Sequence, residues 1–330
     1  MQSPIRKKLL EAFRQANGEF LSGQALADIV GCSRTAVWKH IEDLRKEGFK
    51  LDAIRKKGYR ILHTPDRVSQ NEIHLGLNTK SLGQTIYYEE TVPSTQKLAH
   101  QYAQNGAPEG TLVIADEQTE GRGRLMRNWH SSKRTGIWMS LILKPQLPPQ
   151  RAPQFTLIAA VAVVQAIEEV WDLHPEIKWP NDILLNGKKV TGILTELQAE
   201  SDKINSIIIG MGTNVNQTIE DFPQELHSIA TSLAIEKGQM IPRSRLVQKI
   251  LEKLELYYEI YMKEGFSPIK LLWEGYAISI GKEITARTIT GEIKGKALGI
   301  NDDGVLRIQD HSGHIHEVYS ADIEVNEPIQ

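Results

Sequence analysis

The first sixty residues place apolar side chains at helical spacing, with short glycine turns between the periodic segments. The spacing predicts a helix over residues 5–15, a second helix capped by Ser22, and a third after the turn Gly31-Cys32-Ser33. Two short strand patterns follow, at residues 51–54 and 59–62, with Arg55-Lys56-Lys57-Gly58 between them. Three helices and a basic hairpin predict a winged helix-turn-helix. The predicted inward positions are Ile5, Leu9, Leu10, Phe13, Leu26, Ile29, Val30, Val37, Ile41 and Leu44.

The pattern changes twice further along the chain. Residues 64–80 lack a clear period and predict a linker with one helical turn near Glu72. Apolar runs then predict strands at 85–89, 111–118, 137–143 and 206–210 and helices at 96–104, 152–171 and 244–263. Beyond residue 278, short strands with glycine turns at 283–288, 291–300, 304–309 and 315–319 predict a small β-barrel that docks on the larger domain.

A polar corner interrupts the strand pattern of residues 177–185. Lys178-Trp179-Pro180-Asn181-Asp182 lies between apolar residues, where proline and charged groups are poorly placed in a central strand. Asn186-Gly187 then predicts a tight hairpin turn into a strand over residues 188–196. Strict alternation puts Lys189 on one face with Thr191 and Ile193, so one of the paired lysines can point inward. The ordinary alternative is a pair of solvated turn lysines.

The segment Gly121–Trp129 follows a predicted strand and reads Gly-Arg-Gly-Arg-Leu-Met-Arg-Asn-Trp. Its glycines allow positive φ and close approach to a ligand, and its arginines offer forked donors to phosphate or carboxylate oxygens. The segment therefore suits an anion, and the alternative is a solvated basic loop.

Charge is distributed unevenly along the chain. The net charge is −2, but residues 1–63 carry 13 Lys and Arg against 7 Asp and Glu. This local excess agrees with the polar outer face of the third helix and favours DNA binding over a helical domain that only docks or dimerises. Trp38 stays open between the core and the DNA backbone. The candidate DNA contacts are Ser33, Arg34, Thr35, Trp38, Lys39, Lys56 and Lys57.

Length and cysteine content narrow the class further. A chain of 330 residues predicts more than one domain, and its single cysteine, Cys32, excludes an internal disulfide framework and a cysteine-built zinc site. We find no secretory signal pattern and no uninterrupted apolar stretch of membrane-spanning length. A cytoplasmic protein without a membrane partner is expected.

Together these motifs resemble a bifunctional biotin protein ligase of bacteria, the kind that also represses biotin synthesis genes. The carriers are the winged helix-turn-helix, Pro93-Ser94-Thr95-Gln96, Gln118, Gly121-Arg122-Gly123-Arg124 with Arg127 and Trp129, Lys178-Trp179-Pro180-Asn181-Asp182, Lys189 with Gly192-Ile193-Leu194, and Gly210-Met211-Gly212-Thr213-Asn214. Leu125-Met126 departs from the family, whose members often have an arginine or a glycine there.

The resemblance implies an α+β multidomain fold. It comprises a winged helix-turn-helix at residues 1–63, a linker at 64–80, a mixed-sheet α/β catalytic domain of the biotin/lipoate ligase type at 81–275, and an SH3-like barrel at 276–330. It also implies two substrates, ATP and biotin, which give biotinyl-adenylate. The biotinyl group then passes to a lysine of a biotin carrier domain. Mg²⁺ is expected through the ATP phosphates, with no dedicated protein ligands.

The resemblance also assigns roles to residues. Catalysis is expected from Arg124, Lys189 and Asp182, where Asp182 either orients Lys189 or acts as a base. Biotin is expected at Ser94, Thr95, Gln96, Gln118, Gly121, Arg122, Gly123, Arg124, Lys189 and Gly192. The nucleotide is expected at Arg124, Arg127, Trp129, His130, Asn181 and Asn214.

Further expectations concern the binding partners of the protein and the alternative functions. Adenylate binding is expected to order the Gly/Arg loop and favour a homodimer that binds a palindromic operator. The rivals are a lipoate-type ligase and a biotin-sensing transcription factor without catalysis. The Gly/Arg loop and winged domain speak against the first, and Lys189, Arg124 and Asn181 together speak against the second.

Overall fold

The computed structural model describes residues 4–200 and 203–326. Residues 1–3 and 327–330 of the predicted terminal domains lie outside this range. The first part contains helices α1 (Pro4–Gln15), α2 (Gly23–Val30) and α3 (Arg34–Lys46) and the hairpin strands β1 (Lys50–Ile54) and β2 (Gly58–His63). The hydroxyls of Ser22 and Ser33 accept backbone hydrogen bonds at the starts of α2 and α3, as helix caps do. The winged helix-turn-helix prediction is confirmed.

The structure decides whether two further side chains of this domain are buried or exposed. Ile29 is 51% exposed, so its prediction as an inward residue is wrong. The buried stripe of α2 is formed by Leu26, Ala27 and Val30, and Ile29 falls at its edge. Trp38 is also 51% exposed, which excludes a core role for its indole.

The segment between residues 64 and 80 is packed more closely than a simple linker. It contains helix α4 (Gln70–Gly76), which is longer than the single predicted turn and is capped by Ser69. Val68 and Ile73 are buried in the main core, while Leu75 packs against the core of the first domain. The segment is therefore in contact with the domains on both sides of it.

A seven-stranded mixed sheet forms the centre of the protein, in the order β3-β4-β5-β9-β8-β7-β6. β3 and β4 are parallel and the other neighbours are antiparallel. The strands are β3 (Ile86–Glu89), β4 (Leu112–Ala115), β5 (Gly136–Leu143), β6 (Glu176–Lys178), β7 (Asp182–Leu185), β8 (Lys188–Glu200) and β9 (Lys203–Asn214). The helices are α5 (Thr95–Gln104), α6 (Ala152–Trp171), α7 (Leu233–Lys237), α8 (Arg243–Glu264) and α9 (Ser267–Tyr276).

Helices cover both faces of this sheet. Ala99 of α5 packs with Val113 and Ile208 on one face. The apolar residues of α6 and α8 pack on the other face, in the largest core cluster. The stretch Pro149–Trp171 is long and apolar enough to cross a membrane, but most of it is buried inside the protein. It is packed as a core helix.

The predicted hairpin between β7 and β8 is present, and it contains an irregularity that strict alternation misses. Asn186 and Gly187 form the turn with φ values of 49° and 76°. The register then shifts, because Ile183 pairs with Thr191 whereas Leu184 pairs with Lys189. This bulge turns Lys189 toward Gly192. The predicted grouping of Lys189 with Thr191 and Ile193 is wrong, since Thr191 and Ile193 are buried and Ile193 belongs to the core.

The last part of the chain is a five-stranded antiparallel sheet, ordered β13-β12-β11-β10-β14. Its strands are β10 (Glu283–Thr288), β11 (Gly291–Ile300), β12 (Leu306–Gln309), β13 (Ile315–Val318) and β14 (Asp322–Val325). Helix α9 and strand β14 were not predicted. The docking of this sheet on the central domain is direct, because the Trp179 indole N–H donates to the Gly304 carbonyl at 3.3 Å.

Candidate active site

A buried hydroxyl-amide cluster lies where α5 begins. The side-chain oxygen of Gln118, Oε1, accepts hydrogen bonds from the Thr95 backbone N–H at 2.8 Å and from the Thr95 hydroxyl at 3.0 Å. Ser140 of β5 bonds both Thr95 and Gln96, at 2.9 Å each. Ser94 stands at the N-cap, but its hydroxyl makes no capping bond. The structure thus brings together Ser94, Thr95, Gln96 and Gln118, and adds Ser140.

The Gly/Arg loop is folded back on itself. The Gly123 N–H donates to Arg127 and the Trp129 N–H donates to Gly121, both at 2.8 Å. A Cβ on Gly121 would lie 2.5 Å from the Trp129 carbonyl oxygen, so the predicted close approach is real.

The prediction that the loop glycines supply positive φ is wrong. Gly123 is extended, at φ −106°. The left-handed residues are Leu125 and Met126, with φ values of 53° and 59°. Left-handed geometry costs an ordinary residue roughly 1–2 kcal/mol. The loop therefore holds its unusual backbone at Leu125 and Met126, and both side chains face solvent, 67% and 72% exposed.

The indole of Trp129 lies across two paired glycines of the central sheet. Gly192 and Gly212 are direct partners on β8 and β9. A Cβ on Gly192 would lie 2.9 Å from the indole, and a Cβ on Gly212 would overlap the indole nitrogen. The Lys189 Nζ is 5.1 Å from the ring centroid, within cation-π range. Any side chain at either position would collide with the indole, so both positions must be glycine.

The polar corner between β6 and β7 brings two cations together. It contains a cis Trp179-Pro180 peptide. The Arg124 guanidinium donates to the Asn181 side-chain oxygen at 3.2 Å. The Lys189 Nζ lies 2.7 Å from Asp182 Oδ1. Consecutive residues of the corner thus hold one cation from the loop and one from the hairpin, which explains the polar residues within this strand pattern.

The cations of the site differ in their partners. Arg122 lies 3.9 Å from Glu196, Lys189 pairs with Asp182, and Arg127 pairs with Asp322. Arg124 instead donates to two neutral groups, the Asn181 amide and the Ser320 hydroxyl. Burial lowers the pKa of the Arg124 guanidinium, an effect opposed by Asp182 and Asp322. A partly desolvated guanidinium with neutral partners is well prepared to receive an anion.

Carboxylates around the loop are held in their charged form. The hydrogen bond from Arg127 lowers the pKa of Asp322. His100 lies 2.9 Å from the Glu196 carboxylate, and this contact is the main cause of the lowered pKa of Glu196. Glu196 and Asp322 were missed by sequence reasoning, because they come from strands distant in the chain. The one signal in the sequence that could have indicated Glu196 is that it is a charged residue within a predicted strand.

Two predicted nucleotide contacts lie apart from this cluster. His130 is exposed, and its ring nitrogen lies 3.0 Å from the Asp221 carbonyl. Asn214 is buried, and its amide donates to the Thr231 carbonyl at 3.1 Å. Among residues 4–200 and 203–326 there is no group of three or more His, Cys, Asp or Glu side chains arranged to hold a metal ion.

A second concave surface separates α3 from the hairpin of the first domain. It is a groove of about 850 Å³ whose lining includes Arg34, Thr35, Trp38 and Lys56. Ser33, Lys39 and Lys57 are exposed nearby. A basic groove with an exposed indole has the composition of a DNA-binding surface.

Sequence profiles of known families cover most of this architecture. Residues 5–60 match an HTH domain, residues 88–214 match the Biotin/lipoate A/B protein ligase family, and residues 279–325 match the Biotin protein ligase C terminal domain. The architecture is that of a ligase which carries its own DNA-binding domain.

Similar proteins share this order of domains. The chain is 57% identical over 325 residues to the bifunctional ligase/repressor BirA of Bacillus subtilis, covering 98% of this chain and 100% of that protein. It is 28% identical to the bifunctional ligase/repressor BirA of Escherichia coli, over 89% of each. The chain belongs to the family of bifunctional biotin protein ligases and repressors.

Solved structures support the catalytic part of this assignment. The biotin protein ligase from Aquifex aeolicus in complex with biotin and ATP has a TM-score of 0.65 and 29% sequence identity, over 74% of this chain and 100% of that chain. The apo structure of the same enzyme gives a TM-score of 0.61 and 26% identity. The mixed-sheet catalytic fold predicted from the sequence is confirmed.

Proposed function

We propose that this protein joins biotin to AMP at the expense of ATP and transfers the biotinyl group to a lysine of a biotin carrier domain. One observation carries this proposal. Arg124 and Lys189, from separate segments, meet at consecutive residues, Asn181 and Asp182. Two fixed cations at one point suit a reaction that brings a carboxylate against a phosphate.

In the first step a biotin carboxylate oxygen attacks the α-phosphorus of ATP, and the bond to the β-phosphate oxygen breaks to release pyrophosphate. Both reactants are anions, so their approach is unfavourable without neighbouring positive charge. Arg124 binds the α-phosphate and Lys189 lies between phosphate and carboxylate. Their preorganised charges stabilise the transition state because they need no reorganisation during the reaction.

In the second step the amine of the acceptor lysine attacks the acyl carbon, and AMP leaves as the amine loses a proton. The 2.7 Å contact of Asp182 Oδ1 with Lys189 Nζ supports the positioning role left open by the sequence, because the carboxylate is already engaged by the ammonium. Asp182 fixes the lysine ammonium at the corner between β6 and β7.

The biotin end of the site is formed by neutral polar groups. Biotin's ureido ring can both donate and accept hydrogen bonds, and the buried Thr95 and Gln96 and the half-buried Gln118 offer hydroxyl and amide groups that match it. Arg122, with the backbone of Gly121 and Gly123, covers the bound biotin. Gly192 is the proposed biotin contact beside Trp129, whose indole occupies the space that a side chain at this position would need.

The nucleotide end uses different chemistry. Trp129 offers an aromatic face for the adenine, and Arg127 adds charge toward the phosphates. Mg²⁺ would be held through ATP oxygens, where it would neutralise phosphate charge, since the ion keeps several waters and needs few protein ligands. His130, and Asn214 at the end of β9, are the remaining proposed nucleotide contacts.

The first domain serves repression. Two protomers paired on adenylate binding present two copies of α3 to a palindromic operator, with Lys56 and Lys57 on the adjacent backbone. Leu125 and Met126 support a ligand-dependent dimer, because the loop that closes over the adenylate exposes two apolar side chains. Both activities fit a cytoplasmic protein.

One assay tests the enzymatic proposal against its rivals. The chain is incubated with ATP, labelled biotin and a carrier domain, and label on the acceptor lysine is measured. We expect labelling that depends on ATP, with lipoate as a poor substitute. Labelling by lipoate alone would indicate a lipoate-type ligase, and biotin binding without any labelling would indicate a sensor without catalysis.

Sedimentation tests the regulatory proposal. We expect a shift from monomer to dimer when biotin and ATP are added together, but not with ATP alone. A chain that stays monomeric at concentrations where it binds operator DNA would contradict the coupling of ligand to dimerisation.

A further inference from the structure

Arg243, the first residue of α8, is a fully buried cation. Its Nη1 donates to Asp116 Oδ1 at 3.2 Å and to the Gly136 carbonyl at 3.1 Å. Its Nε and Nη2 donate to the side chain and the carbonyl oxygen of Asp66, at 3.2 and 2.8 Å. Asp116 is itself fully buried, so both charges are removed from water and depend on these bonds.

One side of this guanidinium holds the base of the Gly/Arg loop. Asp116 and Gly136 stand at the two ends of the segment 117–135, which contains the loop, and a single nitrogen bonds both ends. Asp116 is also held by the Tyr88 hydroxyl at 2.8 Å. Gln118, the proposed biotin contact, follows Asp116 by two residues. Arg243 therefore adds a side-chain connection between the two loop ends, whose strands are already paired at Ala115 and Trp138.

The other side holds the segment between the DNA-binding and ligase domains. Besides the bonds from Nε and Nη2, Asp66 accepts the Arg243 backbone N–H at 3.1 Å and the Asn216 amide at 3.4 Å. Asn216 also accepts the Ile241 N–H at 2.8 Å. Asp66 lies between the part of the chain that matches an HTH domain and the part that matches the ligase family.

We propose that Arg243 is a positioning residue that couples the segment 64–68 to the base of the ligand loop. The guanidinium is planar and its donors keep a fixed geometry, so Asp66 cannot move without changing the bonds to Asp116 and Gly136. A shift of Asp66 that broke one set of these hydrogen bonds would leave buried guanidinium N–H donors without acceptors. The loop base and the segment leading to the DNA-binding domain therefore move together.

This inference rests on the proposed function for the identity of the ligand, biotin, and it adds how the two activities communicate. Coupling between two sites is reciprocal, so biotin binding at the loop changes the state of the segment 64–68, and that segment changes biotin affinity. The coupling needs no direct contact between the ligand and the first domain.

The test compares two alanine variants of the full chain. Asp66→Ala removes the side-chain acceptors of Arg243. Glu259→Ala is the matched control, because it removes the exposed pair of Glu259 with Lys80, which also joins the 64–80 segment to α8 but does not involve Arg243. Backbone hydrogen exchange is measured without ligand over residues 117–135 and over β11 as a reference. The Michaelis constants for biotin and ATP are measured in parallel.

We expect Asp66→Ala to speed exchange over residues 117–135 on the order of tenfold, while β11 is unchanged. KM for biotin should rise by a similar factor with kcat within twofold, and Glu259→Ala should change neither. Arg243→Lys, which keeps the charge but loses the fork, should reproduce the pattern of Asp66→Ala.

Two results would overturn the coupling. Equal behaviour of Asp66→Ala and Glu259→Ala would show that Asp66 does not act on the loop. Faster exchange in β11 to the same extent as in the loop would assign Arg243 a purely structural role. Failure of the wild-type chain to form biotinyl-adenylate would instead refute the proposed function, and the ligand-free exchange would still decide the coupling.

Discussion

The Lys189 ammonium and the Asp182 carboxylate lie 2.7 Å apart, on adjacent strands of the β7–β8 hairpin. Because Asp182 positions the lysine, we expect Lys189→Ala to lower the rate of adenylate formation by about 10²–10³-fold. Asp182→Asn keeps the lysine but loses its anchor, and we expect a loss on the order of tenfold. Pyrophosphate release with biotin and ATP measures both.

Circular dichroism and thermal unfolding serve as controls, since neither change creates a buried cavity. Near-normal turnover in Lys189→Ala would refute its assignment to the phosphate. Normal pyrophosphate release in Asp182→Asn, together with slowed transfer of biotin to the carrier lysine, would instead favour Asp182 as a base in the transfer step.

The aromatic contact across β8 and β9 gives a second prediction. Gly212→Ala places a methyl group where the Trp129 indole lies, so the ring must move. We expect KM for ATP to rise about tenfold, because a displaced ring no longer stacks on the adenine. Thermal unfolding should show a loss of about 1–3 kcal/mol from overpacking.

Gly275→Ala is the matched control for that variant. Gly275 lies in α9 with nothing within 4 Å of an added Cβ, so activity and stability should be close to wild type. If Gly212→Ala binds ATP normally while tryptophan fluorescence shows a displaced ring, Trp129 does not contact the nucleotide.

The basic hairpin predicts a specific dependence of DNA binding on salt. Each lysine that contacts a phosphate contributes about 0.9 to the slope of log affinity against log salt concentration. We therefore expect Lys56→Ala and Lys57→Ala each to reduce the slope by about one, measured by fluorescence anisotropy with duplex DNA. Lys263→Ala, an exposed lysine at the end of α8, should leave the slope unchanged. Equal slopes in all variants would place the DNA elsewhere.

The contact between the loop and the last domain predicts a pH dependence. Because Arg127 lowers the pKa of Asp322, this pair stabilises the folded protein above the unfolded Asp pKa of about 3.9. Its contribution is lost as the pH falls through the lower folded value. The difference in melting temperature between wild type and Asp322→Asn should be constant from about pH 7 to 5 and should shrink below about pH 4. A difference that does not shrink at any acidic pH at which the chain stays folded would show that another contact holds the loop.

Most of the fold is visible in the sequence because periodicity reports burial directly. The helix α6 was predicted with its observed ends, since its apolar residues are continuous and its polar flanks are clear. Helix α9 was missed because it follows α8 after a short break, and strand β14 was missed because its four residues offer too little alternation.

The site was only partly predictable, and the reason is geometric. Motifs made of adjacent residues, such as Gly121–Trp129, can be recognised from the sequence alone. The partners of these motifs come from distant strands, as Asp322 and Glu196 do, and the sequence does not show which of many surface carboxylates comes near. Strict alternation also failed at Lys189, because a register shift depends on pairing with β7 and leaves no local pattern.

That register shift has a consequence for changes in chain length. One extra residue in β8 is what turns Lys189 toward Trp129 while Thr191 and Ile193 stay in the core. Deleting a single residue between Lys188 and Thr191 would return the strand to plain alternation and turn the lysine away from the indole. Homologous chains should therefore keep the length of this hairpin constant, even where most of its side chains differ.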